Sequence, residues 1–195
     1  MRLSLILTPL VCLLALESGS TASSEPEPVG PSKAGWVNHE RKSVPDTERR
    51  RSVGAFCASL LITDDPNIFA NWDKPSESFA YQGIESIRKG AFFIAVVAFA
   101  NPSVDASGNA RLVADFSLLR PDGSLYGEMK DLQAWDGPPP KENILELTTK
   151  YLKGRLEPTD PLGTYQVVAT IQDQVSGKKL ELRAPLLGGP SASQP

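Results

Sequence analysis

The sequence predicts an all-β fold, an antiparallel β-sandwich of seven to eight short strands without a disulfide. Three observations carry this. Tyr165, Val167, Ala169 and Ile171 alternate with Thr164, Gln166, Val168, Thr170 and Gln172, the period-2 pattern of a half-buried strand. Similar runs recur along the chain, separated by Gly, Pro, Asn and Asp turn residues rather than by long helical patterns. Only one cysteine, Cys57, lies outside the N-terminal apolar run, so the folded part must rely on its core.

The chain opens with Arg2 and an apolar run from Leu3 to Leu16. At about 14 residues this run is short of the roughly 20 that a membrane span needs. Small residues follow, and Ser20-Thr21-Ala22 fits a cleavage site, so residues 1–22 read as a secretory signal peptide. No other long apolar run follows. The expected location is therefore extracytoplasmic, periplasmic or secreted, with no membrane span after cleavage. Cleavage removes Arg2 and Glu17 together and leaves the formal charge at −3. That mild acidity argues against a nucleic-acid partner, which would need a basic stripe.

Residues 23–53 are rich in Pro, Ser and charge, with Trp36 as their one large aromatic. Such a segment buries too little apolar surface to offset its chain entropy, and it reads as a disordered linker. Arg49-Arg50-Arg51 close it as a solvated charge cluster. The folded domain is expected over 54–188, with 189–195 a flexible tail.

Within the domain, Phe56 to Thr63 is the first apolar run. It contains Cys57, either buried or paired between chains, and the apolar setting points to burial. Ile84 to Arg88 supplies a short edge. Ala91 to Ala100 (AFFIAVVAFA) is apolar on both faces. Its β-branched and aromatic content, with Gly90 before it and Asn101-Pro102 after it, marks a central strand. Arg111 to Leu119 alternates and stops at the Pro-Asp-Gly turn of Arg120–Ser124. Leu125 to Trp135 follows. Ile144 to Leu156 reads as strand or as a short helix. Thr164–Gln172 and Leu180–Ala184 flank a Gly-containing loop and form a hairpin.

The stretch Asp160-Pro161-Leu162-Gly163-Thr164-Tyr165 places a tyrosine at the start of the penultimate strand, just after a corner. This resembles the tyrosine corner of immunoglobulin-like folds, where the hydroxyl bonds back to the corner backbone. Val167 stands where an antibody domain has its second cysteine, and no tryptophan lies in Arg111–Leu119. The chain from GAFFIAVVAFANP to DPLGTYQVVATIQD is similar to small exported bacterial immunoglobulin-like β-sandwich domains of no assigned activity. The resemblance implies the architecture and transfers no functional residue.

Catalytic chemistry has few carriers. The single histidine, His39, lies before the domain, so no histidine triad or histidine metal site can be built inside it. No phosphate-binding glycine loop is present. No cofactor is implied. Asp64, Asp65 and Asp73 could act as acid–base carboxylates, but Asp64-Asp65-Pro66 also reads as a strand-ending turn. Asp105–Asn109 has oxygen side chains at alternate positions but lacks the glycine at the sixth position and the closing glutamate of a calcium loop. The remaining candidates are apolar. Trp72, Tyr81 and Trp135 lie among polar loop residues, where they could seat a sugar or a protein partner. Phe92, Ile94 and Val96 share the second face of the central strand, which either the 64–90 segment or a partner must cover. The sequence thus points to a non-catalytic module binding an envelope or extracellular protein, with a homodimer also open. The alternatives are a carbohydrate-binding module using the loop aromatics and a carboxylate hydrolase.

Overall fold

The computed structural model describes residues 28–38, 40–73 and 83–190. The expected signal peptide, His39, Tyr81 and residues 191–195 lie outside the described residues. In chain order the elements begin with β1 (Pro28–Ser32), β2 (Gly35–Asn38), β3 (Arg50–Val53), β4 (Phe56–Thr63), α1 (Ile68–Trp72) and β5 (Ser86–Arg88). They continue with β6 (Phe92–Ala100), β7 (Ala110–Leu119), β8 (Leu125–Gly137) and β9 (Glu146–Leu147). The last three are β10 (Leu152–Arg155), β11 (Gly163–Asp173) and β12 (Lys179–Gly189).

Two five-stranded sheets form an all-β sandwich. One has the order β10-β6-β4-β3, with β9 also on β6; the other has the order β5-β12-β11-β7-β8. The sequence β4-β6-β10 on one sheet and β12-β11-β7-β8 on the other matches the A-B-E and G-F-C-C′ orders of immunoglobulin folds. The β5–β12 pair is parallel, while the other described strand pairs are antiparallel. Twelve strands are described rather than seven or eight. The added ones are β1, β2 and β3, and Ile144–Leu156 divides into β9 and β10 rather than making a helix.

The core follows the alternation. Phe56, Leu60 and Ile62 of β4 and Phe93, Val97 and Phe99 of β6 meet Leu112 and Phe116 of β7 and Tyr165, Val167 and Ile171 of β11. Each of these is at most 1 % exposed. Burial of each such side chain stabilises the fold by about 1.5–3 kcal/mol. Cys57 is wholly buried. Desolvation pushes its thiol up to about 11.

Tyr165 closes one end of this core. Its ring is wholly buried and its hydroxyl donates to the Pro161 carbonyl at 2.8 Å. The corner needs two glycines. Gly163 has φ +134°, outside the range side-chain residues favour, and a Cβ at Gly188 would sit 2.9 Å from the Tyr165 ring. The hydroxyl of Tyr126 on β8, with its ring edge-on to Tyr165 at 6.1 Å, donates to Asp160 Oδ2 at 2.6 Å. That same oxygen accepts the Glu157 N–H.

The expected linker is a correction. Among the described residues of 23–53, three strands form and Trp36 is 4 % exposed. The indole Nε1 donates to the Arg51 carbonyl at 3.1 Å, and the Arg50 guanidinium lies 5.7 Å from the ring centroid. Polar side chains hold the rest. Asn38 Oδ1 accepts from the N–H groups of Glu40 and Lys42, and Asp46 accepts from the N–H and hydroxyl of Ser52. One anchored indole and local hydrogen bonds therefore order a segment whose composition alone would not. Likewise β12 runs to Gly189, within the expected tail, because Gly189 pairs with Arg88. No helix among the described residues is long and apolar enough to cross a membrane.

Candidate functional site

The residues expected to form a binding surface do not come together. Ile94 is 4 % exposed and Val96 is wholly buried. They pack with Ala98, Ile68 and Leu147 in a second apolar cluster, flanked by Leu61, Phe69, Trp72 and Leu145. The cover over β6 is thus α1 and the segment carrying β9, and the expectation of a partner surface at Ile94 and Val96 is corrected. Phe92 is half-buried at the margin of this face, with the Lys153 ammonium 4.9 Å from its ring centroid. Trp72 ends α1 and packs on the cluster.

Trp135 belongs elsewhere. Its ring meets Phe99 edge-on at 5.2 Å, on the core side of the same sheet. Trp72 and Trp135 therefore lie on opposite faces of β6 and do not form one platform. The indole Nε1 of Trp135 donates to the Pro138 carbonyl at 3.1 Å, so this side chain shapes the following proline loop. The acidic candidates have structural tasks. Asp65 accepts from the Asn67 N–H at 2.8 Å and Asn71 Nδ2 at 2.9 Å, which holds the start of α1. Asp105 accepts from the Ser107 and Asn109 N–H groups. These backbone bonds, with Arg111 at 3.2 Å, hold its carboxyl below the usual range. No group of three His, Cys, Asp or Glu side chains is placed to hold a metal among the described residues.

What the fold does assemble is a cleft of about 620 Å³ where several loops meet. Ala55, Pro102, Pro139 and Pro140 give it apolar walls, and Lys33, Glu142 and Lys178 stand around it. Asn101 is its keystone. This residue ends β6 with φ +53°, a conformation asparagine tolerates better than most residues. Its Nδ2 lies 3.1 Å from Asn143 Oδ1, 3.2 Å from the Ala55 carbonyl and 3.4 Å from the Ser32 carbonyl. Its Oδ1 accepts the Asn143 N–H at 2.7 Å. One side chain thus ties the β1–β2 turn, the β3–β4 turn and the loop before β9.

The hairpin carrying Lys178 is tied to the same cleft by Asp173, which is wholly buried. Its carboxylate accepts from the Ser103 N–H at 2.9 Å, the Val175 and Ser176 N–H groups, and the Ser176 hydroxyl at 2.7 Å. Burial pushes this carboxyl up, but the hydrogen bonds from Ser176 and Ser103 outweigh it and hold the group below the usual aspartate range. Lys33 is neutralised by Glu142 at 2.8 Å. Lys178 has no ion pair among the described residues. The cleft is therefore pre-organised, apolar inside and cationic on one rim. It suits an apolar group beside a carboxylate, and loop positions held this way lose little further entropy on binding.

Sequence reasoning missed Asn101, Asn143 and Lys178. The one available signal was Asn101-Pro102, read only as the end of a strand.

No protein-family model matches the chain, and no curated protein matches its sequence. Among solved structures it is similar to a Niemann-Pick type C2 protein from the Japanese carpenter ant. That similarity covers 67 % of this chain and 89 % of the other, at 14 % identity and a TM-score of 0.37. It is also similar to a family 123 glycoside hydrolase from Clostridium perfringens, over 71 % of this chain but 28 % of the hydrolase, at 7 % identity and a TM-score of 0.40. Scores this low carry no argument about function.

Proposed function

We propose that the chain is an extracytoplasmic, non-catalytic binding module. Its partner is an envelope or extracellular protein, and it takes an extended acidic segment of that partner into the cleft. The supporting observation is the cleft itself: loops from several parts of the chain, pinned by Asn101, Asp173 and Trp135 around proline walls, with Lys178 un-neutralised. An apolar side chain of the partner packs on Pro102, Pro139 and Pro140, and a neighbouring carboxylate pairs with Lys178. Such an ion pair at a rim steers encounter more than it adds affinity.

The test is capture from native extracytoplasmic fractions by the immobilised chain, compared with Lys178→Glu and with Lys153→Glu, a charge reversal on β10. The reading expects one stoichiometric protein, retained by the wild type and by Lys153→Glu but lost by Lys178→Glu. Equal retention by all three chains would remove the cleft from consideration.

A further inference from the structure

The two sheets differ on their outer faces. The outer face of the β6 sheet lies beneath α1. The outer face of the β12-β11-β7-β8 sheet has no such cover among the described residues, and Leu125 and Leu187 are 47 % and 50 % exposed there. The strand register fixes what this face presents. Leu125, Leu119, Gln166 and Pro185 stand side by side across β8, β7, β11 and β12. The next outward row is Glu128, Ser117, Val168 and Arg183. The third has Asp115, Thr170 and Glu181 in register, with Lys130 on β8 beside a bulge. Residues of all three rows line one shallow dish of about 300 Å³.

We propose that this face pairs with the same face of a second copy of the chain, about a twofold axis parallel to the strands. Such an axis keeps the rows and exchanges the columns, so β8 lies over β12 of the copy and β7 over β11. Glu128 then faces Arg183 of the second copy, and Lys130 faces its Glu181. The leucine row meets itself, with Leu125 over Pro185 and Leu119 over Gln166. In the monomer Lys130 pairs with Glu128 at 2.9 Å and Arg183 with Glu181 at 2.7 Å, each within its own strand. Across the axis these become two quartets of alternating charge. A twofold axis lying across the strands would instead set the leucine row against the charged row, so the pattern selects the parallel axis. This pairing is isologous and closes at two copies.

With strands about 4.8 Å apart and rows about 7 Å apart, the face measures roughly 20 by 20 Å. That is about 400 Å² per copy, below the range of stable specific interfaces and within that of weak transient ones, so the dimer is expected to be weak and concentration-dependent. The proposal does not depend on the cleft and shares no residue with it.

The experiment is sedimentation velocity on the purified chain under reducing conditions, up to about 100 μM, well above a micromolar Kd. The wild type should move from monomer to dimer with concentration, less so at high salt. Glu128→Arg alone sets two guanidinium groups against each other across the axis and should be monomeric. Arg183→Glu alone sets two carboxylates against each other and should be monomeric too. Mixed in equal amounts, the two variants should recover dimer mass as a heterodimer, and the double variant in one chain should dimerise by itself. Circular dichroism checks that each variant is folded. A wild type that stays monomeric, single variants that dimerise like the wild type, or a mixture that remains two monomers would each overturn the proposal.

Discussion

Replacing Tyr165 by phenylalanine removes one hydroxyl and leaves the buried ring. That hydroxyl is the bond from β11 to the preceding corner, 2.8 Å to the Pro161 carbonyl. A neutral hydrogen bond contributes about 1 kcal/mol net, and up to about 3 kcal/mol is lost when its removal strands a dry partner. Pro161 is exposed, so its carbonyl can regain water. The expected loss is therefore about 1–1.5 kcal/mol. For a domain of this size that is about 2–6 °C in Tm. Tyr165→Ala adds a cavity and should cost about 3–5 kcal/mol. Urea unfolding followed by circular dichroism reads both, with an unchanged slope as the control. Tyr126→Phe removes a different hydroxyl, to Asp160, and keeps the edge-on ring contact. Because the two rings touch and the two hydroxyls bond to neighbouring corner residues, the two losses should couple by about 0.5 kcal/mol or more rather than simply add. Partner capture should survive Tyr165→Phe, because the residue is architectural. A variant as stable as the wild type, or one folded but unable to capture, would refute this account of the corner.

Three further outcomes follow from buried groups. The Asp173 carboxyl is held below its ordinary value in the fold, so its stabilisation is complete above the unfolded-state pKa near 3.9 and drains away as pH falls through the folded one. Asp173→Asn should cost about 1–3 kcal/mol at pH 7, with a shallower loss of stability on acidification; parallel urea titrations at descending pH compare the two chains. Ile94→Asp should unfold the chain or cost about 3 kcal/mol or more, since the position is sealed under α1; a folded variant that merely loses a partner would restore the exposed-face reading. Cys57, buried and with its thiol at about 11, should resist alkylation at pH 8 in the native chain and react on unfolding. Mass spectrometry before and after urea decides it.

Much of the sandwich was legible because its strands alternate. In β7 and β11 the inward residues read from the pattern are the ones the core buries, and the turn at Pro121-Asp122-Gly123 closes where its chemistry says. The tyrosine corner was readable because its parts are neighbours in sequence. Where long-range contacts decide, the sequence was silent. Helix α1 has five residues, too few to show a helical period, yet it covers β6. Trp36 stands alone among polar neighbours, and only its bond to Arg51 makes it an anchor. Trp72 and Trp135 look equivalent as loop aromatics, and the strand between them sends one to each face. The cleft was the least legible feature. Residues 33, 55, 101, 139 and 178 carry no shared local pattern, and the hydrogen bonds of Asn101 that join their loops span 42 to 69 positions.

The most direct test of the binding account is site-specific photo-crosslinking in native extracytoplasmic fractions. A photoreactive residue is placed at Pro139, on the cleft wall, or at Phe92, beside the covered face of β6. The account predicts one adduct from Pro139, mapped by mass spectrometry to an acidic segment of a single partner and abolished by Lys178→Glu. Adducts from Phe92 but none from Pro139 would contradict it and return the search to the aromatic margin of the first sheet.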